Sequence, residues 1–125
     1  MAARFPAPPS GTGTAWLEVS RRAGDYALCG LGIAVTLDGD RRMSRARAAY
    51  VSVGPTPVLV DLTEAVAGQP YDAADWSGAG ALAAGRVEPE DDIHATAGYR
   101  RHLTAVLTAR AGAAAARHAA TRHER

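Results

Sequence analysis

One cysteine, Cys29, stands in a chain of 125 residues, so an internal disulfide and a cysteine-based zinc cluster are both excluded. Cys29 lies in an apolar alternating stretch and reads as a small buried hydrophobe. Aromatic residues are scarce, 6% of the chain against 47% for hydrophobic residues of all kinds, and alanine supplies much of the apolar content. A single domain with a thin core is expected, in which small side chains let helices and sheet approach closely. No apolar run reaches membrane-spanning length and residues 1–11 have no signal-peptide core, so a cytoplasmic location is expected. The formal net charge is only +1 and no basic stripe with interleaved aromatics appears. That pattern argues against a nucleic-acid binder. Also missing are a glycine-rich phosphate loop, a His-Glu-x-x-His pair and a Gly-x-Ser-x-Gly elbow.

What is present reads as strands first and helices afterwards. Residues 1–13, with Pro6, Pro8, Pro9, Gly11 and Gly13, form an extended, linker-like lead-in. Thr14 is placed to cap a short helix carrying Trp16 and Val19 on one side, which Gly24 stops. From residue 28 to 37 the side chains alternate. Cys29, Leu31, Ile33, Val35 and Leu37 make a bulky face, opposite a nearly smooth one of Gly30, Gly32, Ala34 and Thr36. Asp38-Gly39-Asp40 suits a hairpin turn, a return strand is expected over residues 44–53, and Val58 to Val60 add a few extended residues after the Gly54–Pro57 break.

The period then changes. Asp61-x-x-Glu64 opens a two-turn helix that Gly68 ends, and Asp72 opens an alanine-rich helix reaching about Gly85. Tyr99, Leu103, Val106 and Leu107 share one face of a long helix starting between residues 92 and 96. Residues 117–125 are expected to be a basic, solvated, frayed tail. The order predicts an α+β domain over residues 14–116, a small antiparallel sheet of about three strands with helices packed on one face and a long C-terminal helix.

Candidate chemistry is sparse. His94 neighbours Asp91 and Asp92, but His94 and His102 are two helical turns apart, too far to share one metal ion, and a histidine near carboxylates at a helix end is the simpler reading. Asp72 and Asp75 suit the first turn of a helix, where acids complement the dipole. Arg100-Arg101-His102 reads as an exposed helix face from which Arg100 reaches an acid of the preceding loop. Trp16 and Trp76 read as anchors of the thin core. The remaining polar cluster is residues 21–26, Arg-Arg-Ala-Gly-Asp-Tyr. From the residues alone it is a loop leading into a strand, with ligand contact and acid–base work by Asp25 and Tyr26 both left open.

Those residues carry a resemblance. The blocks 15–39 (AWLEVSRRAGDYALCGLGIAVTLDG), 45–58 (RARAAYVSVGPTPV) and 91–111 (DDIHATAGYRRHLTAVLTARA) resemble, in order and spacing, the C-terminal domain of the carbon monoxide dehydrogenase flavoprotein (medium) subunit family of molybdenum hydroxylases. The resemblance implies an α+β domain that covers the isoalloxazine side of FAD in an oxidoreductase, where flavin takes electrons from iron–sulfur and molybdenum subunits. It implies Arg22, Gly24, Asp25 and Tyr26 as the cofactor-binding positions, with Arg21 and Glu18 behind them; some relatives carry lysine where this chain has Glu18. The glycine-rich loops that cradle FAD phosphates in the family's N-terminal half have no counterpart here, so only a partial FAD site and no catalysis by this chain alone are expected. The partners implied are an FAD-binding N-terminal half or subunit together with the iron–sulfur and molybdenum subunits. The alternative is a free-standing, non-catalytic assembly module, homodimeric through the smooth sheet face or the last helix.

Overall fold

Alternating bulky and small side chains make residues 27–37 an inner strand of a four-stranded antiparallel sheet in the computed structural model, which describes residues 1–123. Strands β1 (Thr12–Ser20), β2 (Ala27–Leu37), β3 (Met43–Val51) and β4 (Val58–Asp61) lie in chain order. Helices α1 (Thr63–Val66), α2 (Trp76–Ala84) and α3 (Ala97–His123) follow. The α+β class holds, with four strands in place of about three.

The additional strand, β1, occupies the stretch expected to be a helix. Its residues obey a period of two: Ala15, Leu17 and Val19 turn inward and are half-buried, while Thr14, Trp16 and Glu18 are exposed. Pairing with β2 sets Trp16 opposite Gly32 and Leu17 opposite Leu31. A helix would have used Trp16 and Val19 on one face and left Leu17 outside; the strand puts Leu17 and Val19 against the core together. Trp16 is therefore not a core anchor. It is 55% exposed on the outer face of the sheet, its ring lying over Gly32, where a Cβ would stand 3.2 Å from ring carbon Cε3.

The inner face carries Cys29, Leu31, Ile33, Val35 and Leu37 of β2 with Met43, Ala46, Ala48 and Tyr50 of β3, all buried. Helix α3 packs on it, against both β1 and β2. The helix buries residues in pairs four apart: Leu103 and Thr104, Leu107 and Thr108, Ala111 and Gly112, Ala115 and Ala116, Ala119 and Ala120. A four-residue step turns through about 40° more than one helical turn, so the buried stripe winds around α3. Its first half meets β2 and β3, and its last half reaches β1. Tyr99 falls off this stripe and is 46% exposed, contrary to the face expected for it.

The last half of α3 presses closely on β1 at Gly13. A Cβ on Gly13 would lie 2.1 Å from the Ala119 nitrogen and 2.3 Å from the Ala115 carbonyl oxygen, so strand and helix backbones touch there. Beside it the Thr14 N–H donates to His118 Nδ1 at 3.0 Å. In the stretch expected to be a frayed tail, α3 continues through His123 and buries Ala119 and Ala120; Glu124 and Arg125 lie outside the described residues. The shorter helices also differ from expectation. Helix α1 is a single turn, and α2 begins at Trp76, with Asp75 as its N-cap accepting from the Gly78 N–H and Asp72 left exposed before it.

The core holds one chain of hydroxyl groups. Thr108 Oγ1 donates to the Thr104 carbonyl at 2.6 Å, which leaves its oxygen to accept from the Tyr50 hydroxyl, also at 2.6 Å. Thr104 Oγ1 likewise donates to the Arg100 carbonyl, at 2.9 Å, and faces the Cys29 thiol at 3.6 Å. Burial pushes the Cys29 thiol up, and Cys29 is the small buried hydrophobe its setting predicts. Burial also pushes the Tyr50 phenol up to about 12. The unfolded chain releases that proton near pH 10 while the folded chain keeps it. Stability is expected to fall by up to about 1.4 kcal/mol per pH unit as pH rises from 10 towards 12. Tyr50→Phe is expected to flatten that alkaline slope in urea titrations across this range, and an unchanged slope would exclude Tyr50 as its source.

Candidate functional site

The loop of residues 21–26 joins β1 to β2 at one end of the sheet, and each of its residues is exposed. The Asp25 N–H donates to the Arg22 carbonyl at 3.1 Å and closes a tight turn. Gly24, third in that turn, has φ +82°, a region that a Cβ disfavours. Nothing stands within 4 Å of where that Cβ would be, so glycine is needed for the backbone path and not for close packing. Ser20 Oγ donates to the same Arg22 carbonyl at 3.0 Å, and Asp25 Oδ1 accepts the Tyr26 N–H at 2.8 Å. The loop therefore holds itself, and it presents Tyr26 with 94% of its surface free.

Two hollows flank Tyr26. One of about 100 Å³ is lined by Arg21, Asp25, Tyr26, Leu28, His94 and Arg100. A wider one is lined by Tyr26, Ser52 and Pro55 together with the acidic Glu88, Glu90 and Asp92. Asp25, Tyr26 and Arg21 are thus brought together. Arg22 contributes its carbonyl to the turn but lines neither hollow, and Glu18 stands on the outer face of β1 with its Cβ against Gly30.

The residue misread from sequence is Arg100. It is 7% exposed, not part of an exposed face. Helix α3 starts at Ala97, so Arg100 falls in its first turn and points at the end of the sheet. Its partnership with an acid of the preceding loop is as expected: Nη2 donates to both carboxylate oxygens of Asp92, at 2.9 and 3.0 Å. Nη1 donates to the carbonyls of Leu28 and Ser52, each at 2.9 Å. The N–H groups of His94 and Ala95, and then Arg100, hold the Asp92 carboxyl below the usual carboxylate range. Ser52 carries a further signal that was silent in the sequence, a non-glycine residue at φ +69°. Among the described residues no three His, Cys, Asp or Glu side chains are placed to hold a metal ion, and His94 meets Asp92 through its backbone N–H.

These groups suit a planar ring better than a phosphate. An exposed tyrosine ring beside cations suits a planar, polar-edged ring system. A phosphate needs free backbone N–H groups, and side chains already occupy several of those at the starts of the two longer helices. Asp75 occupies the Gly78 N–H of α2, while Asp91 and Thr96 occupy the Ala97 and Tyr99 N–H groups of α3. Carboxylates at those positions also repel a phosphate.

The profile of the CO dehydrogenase flavoprotein C-terminal domain matches residues 14–115. The 6-hydroxypseudooxynicotine dehydrogenase complex subunit alpha of Paenarthrobacter nicotinovorans is 32% identical over 106 residues, 84% of this chain and 36% of the relative. The carbon monoxide dehydrogenase medium chain of Afipia carboxidovorans is 30% identical over 111 residues, 88% of this chain and 38% of the relative. Among solved structures, reconstituted CO dehydrogenase from Oligotropha carboxidovorans superposes with a TM-score of 0.77 at 29% identity, covering 91% of this chain and 40% of that one. Quinoline 2-oxidoreductase from Pseudomonas putida 86 gives 0.66 at 26% identity, covering 86% and 38%. The chain spans well under half the length of these relatives, which are subunits of multi-subunit oxidoreductases. No helix among the described residues is long and apolar enough to cross a membrane. By its matched residues, its fold and its relatives, the chain belongs to the CO dehydrogenase flavoprotein C-terminal domain family.

Proposed function

We propose that this chain is one wall of an FAD site in a molybdenum-hydroxylase-type oxidoreductase, and that an FAD-binding N-terminal half or subunit supplies the other wall and the pyrophosphate seat. The observation that carries the reading is Tyr26, 94% exposed on a turn whose own hydrogen bonds fix it. Bound FAD supplies the chemistry, taking up electrons and passing them on. Tyr26 covers the isoalloxazine face and keeps water from it. Asp25 fixes the Tyr26 backbone, Gly24 permits the turn, and Arg21 and Arg22 bring positive charge to the polar edge of the ring. Iron–sulfur and molybdenum subunits complete the electron path, and this chain alone does not catalyse.

Mixed with a separately produced FAD-binding half, the chain is expected to retain flavin through a desalting column. Tyr26→Ala is expected to weaken retention by about fivefold, the equivalent of roughly 1 kcal/mol of ring contact. Flavin lost equally in the presence and absence of the wild-type chain would overturn the reading. A second reading, a homodimeric assembly module, is favoured by Trp16 and Leu59, which lie 55% and 69% exposed on the outer sheet face. A light-scattering mass of one chain would remove it.

A further inference from the structure

We infer that Arg100 is the positioning residue of the Tyr26 loop: its buried guanidinium ties the start of β2, just beyond that loop, to the β3–β4 connection and to the segment before α3. The inference takes its functional meaning from the flavin reading above, but its geometry stands without it. Nη1 donates to the Leu28 carbonyl, two residues beyond Tyr26, and to the Ser52 carbonyl in the β3–β4 connection. Nη2 grips Asp92 in the segment before α3. One side chain, itself anchored in the first turn of the long helix, therefore sets the distance between Tyr26, Ser52 and the acidic wall.

Three features single it out from an ordinary ion pair. The contact is made by a planar fork, whose donors point in fixed directions; an ammonium offers one point of charge and cannot span carbonyls and a carboxylate together. The loop is closed by the local bonds of Ser20, Arg22 and Asp25 and by the end of the β1–β2 ladder at Ser20 and Ala27, and the bond to the Leu28 carbonyl joins its exit to α3 as well. Finally, Arg100 Nε is buried without a partner. A buried donor left unpaired is costly, and the guanidinium accepts that cost in an orientation that keeps both Nη groups on the loops.

Trypsin reads the clamp directly, because Arg21 and Arg22 lie in the loop while Arg41 and Arg42 lie in the turn at the opposite end of the sheet. In Arg100→Met, cleavage after Arg21 or Arg22 is expected to accelerate about tenfold relative to cleavage after Arg41 or Arg42, through local opening. Arg100→Lys keeps the charge but not the fork and is expected to behave like Arg100→Met. Asp92→Asn keeps both carbonyl bonds and is expected to give a smaller rise, about threefold. An unchanged cleavage ratio in Arg100→Met, or full rescue by lysine, overturns the inference. Should Arg100→Met unfold, so that both regions are cut together, Asp92→Asn decides: a raised ratio supports the clamp and an unchanged one overturns it. None of these readouts involves flavin. Loss of the flavin reading with a raised cleavage ratio leaves the clamp standing, and flavin retention with an unchanged ratio removes the clamp alone.

Discussion

Gly13→Val is expected to destabilise the protein by more than about 3 kcal/mol, the upper range for overpacking. In a thermal melt that corresponds to a fall of more than roughly 10 °C for a domain of this size. A Cβ at this position meets the Ala119 nitrogen at 2.1 Å and the Ala115 carbonyl at 2.3 Å. Those are backbone atoms of a continuous helix, which a rotamer change cannot move aside. The only relief is for the last turns of α3 to lift from β1. Lifting takes Ala115, Ala116 and Ala119, all fully buried, back into water and breaks the bond from Thr14 to His118. Gly98→Ala is the control, since nothing lies within 4 Å of a Cβ there and the residue sits in the same helix. It is expected to be neutral or slightly stabilising. Equal melting points for the two variants would contradict the packing described for β1.

Trp76→Ala is expected to cost about 3–5 kcal/mol, as large aromatic deletions from cores do. Trp76 is 6% exposed and lies between α2 and α3, where its ring faces Gly112; a Cβ on Gly112 would stand 2.2 Å from it. On the Gly112 side the vacated space is walled by α3 backbone, which cannot collapse into it. One effect opposes the loss: the indole N–H is buried without a partner, and deleting it removes an unpaired donor. A donor of this kind costs roughly 1–3 kcal/mol, less than the ring contributes, so destabilisation wins. Trp76→Phe keeps most of the ring, sheds the donor, and is expected to stay within about 1.5 kcal/mol of the parent. Gly112→Leu is incompatible with Trp76 but occupies the space left by Trp76→Ala. The double variant is expected to recover at least about 1 kcal/mol of the single loss in a denaturant cycle. Strict additivity would mean the two positions do not share that space.

The sheet and the order of helices were legible because β2 is a plain period-two strand whose bulky and smooth faces persist in the fold. β1 was not, although its sequence carries the same signal. Thr14, Trp16 and Glu18 alternate with Ala15, Leu17 and Val19, but Ala15 is too small to register as apolar patterning and Thr14 also suits a helix cap. Charge and alanine content after residue 116 signal solvent, whereas the burial there depends on Gly13, about a hundred residues earlier in the chain. At the candidate site the turn of residues 21–26 was found through Gly24, whose φ of +82° is the kind of backbone need that glycine advertises. Arg100 was misjudged because basic residues next to one another suggest solvent; only the helix start at Ala97 turns one of the pair inward. Ser52 has no sequence signature for its φ of +69°.

The contact of Gly13 and Thr14 with Ala119 and His118 also bears on the order of events in folding. The β1–β2 and β2–β3 hairpins close short loops and can form early. The inner side of β1, however, is covered by the last turns of α3, so the strand waits for an element far along the chain before it is secured. Until those turns dock, one end of the sheet stays uncovered, and the domain becomes cooperative only when β1 and the last turns of α3 meet.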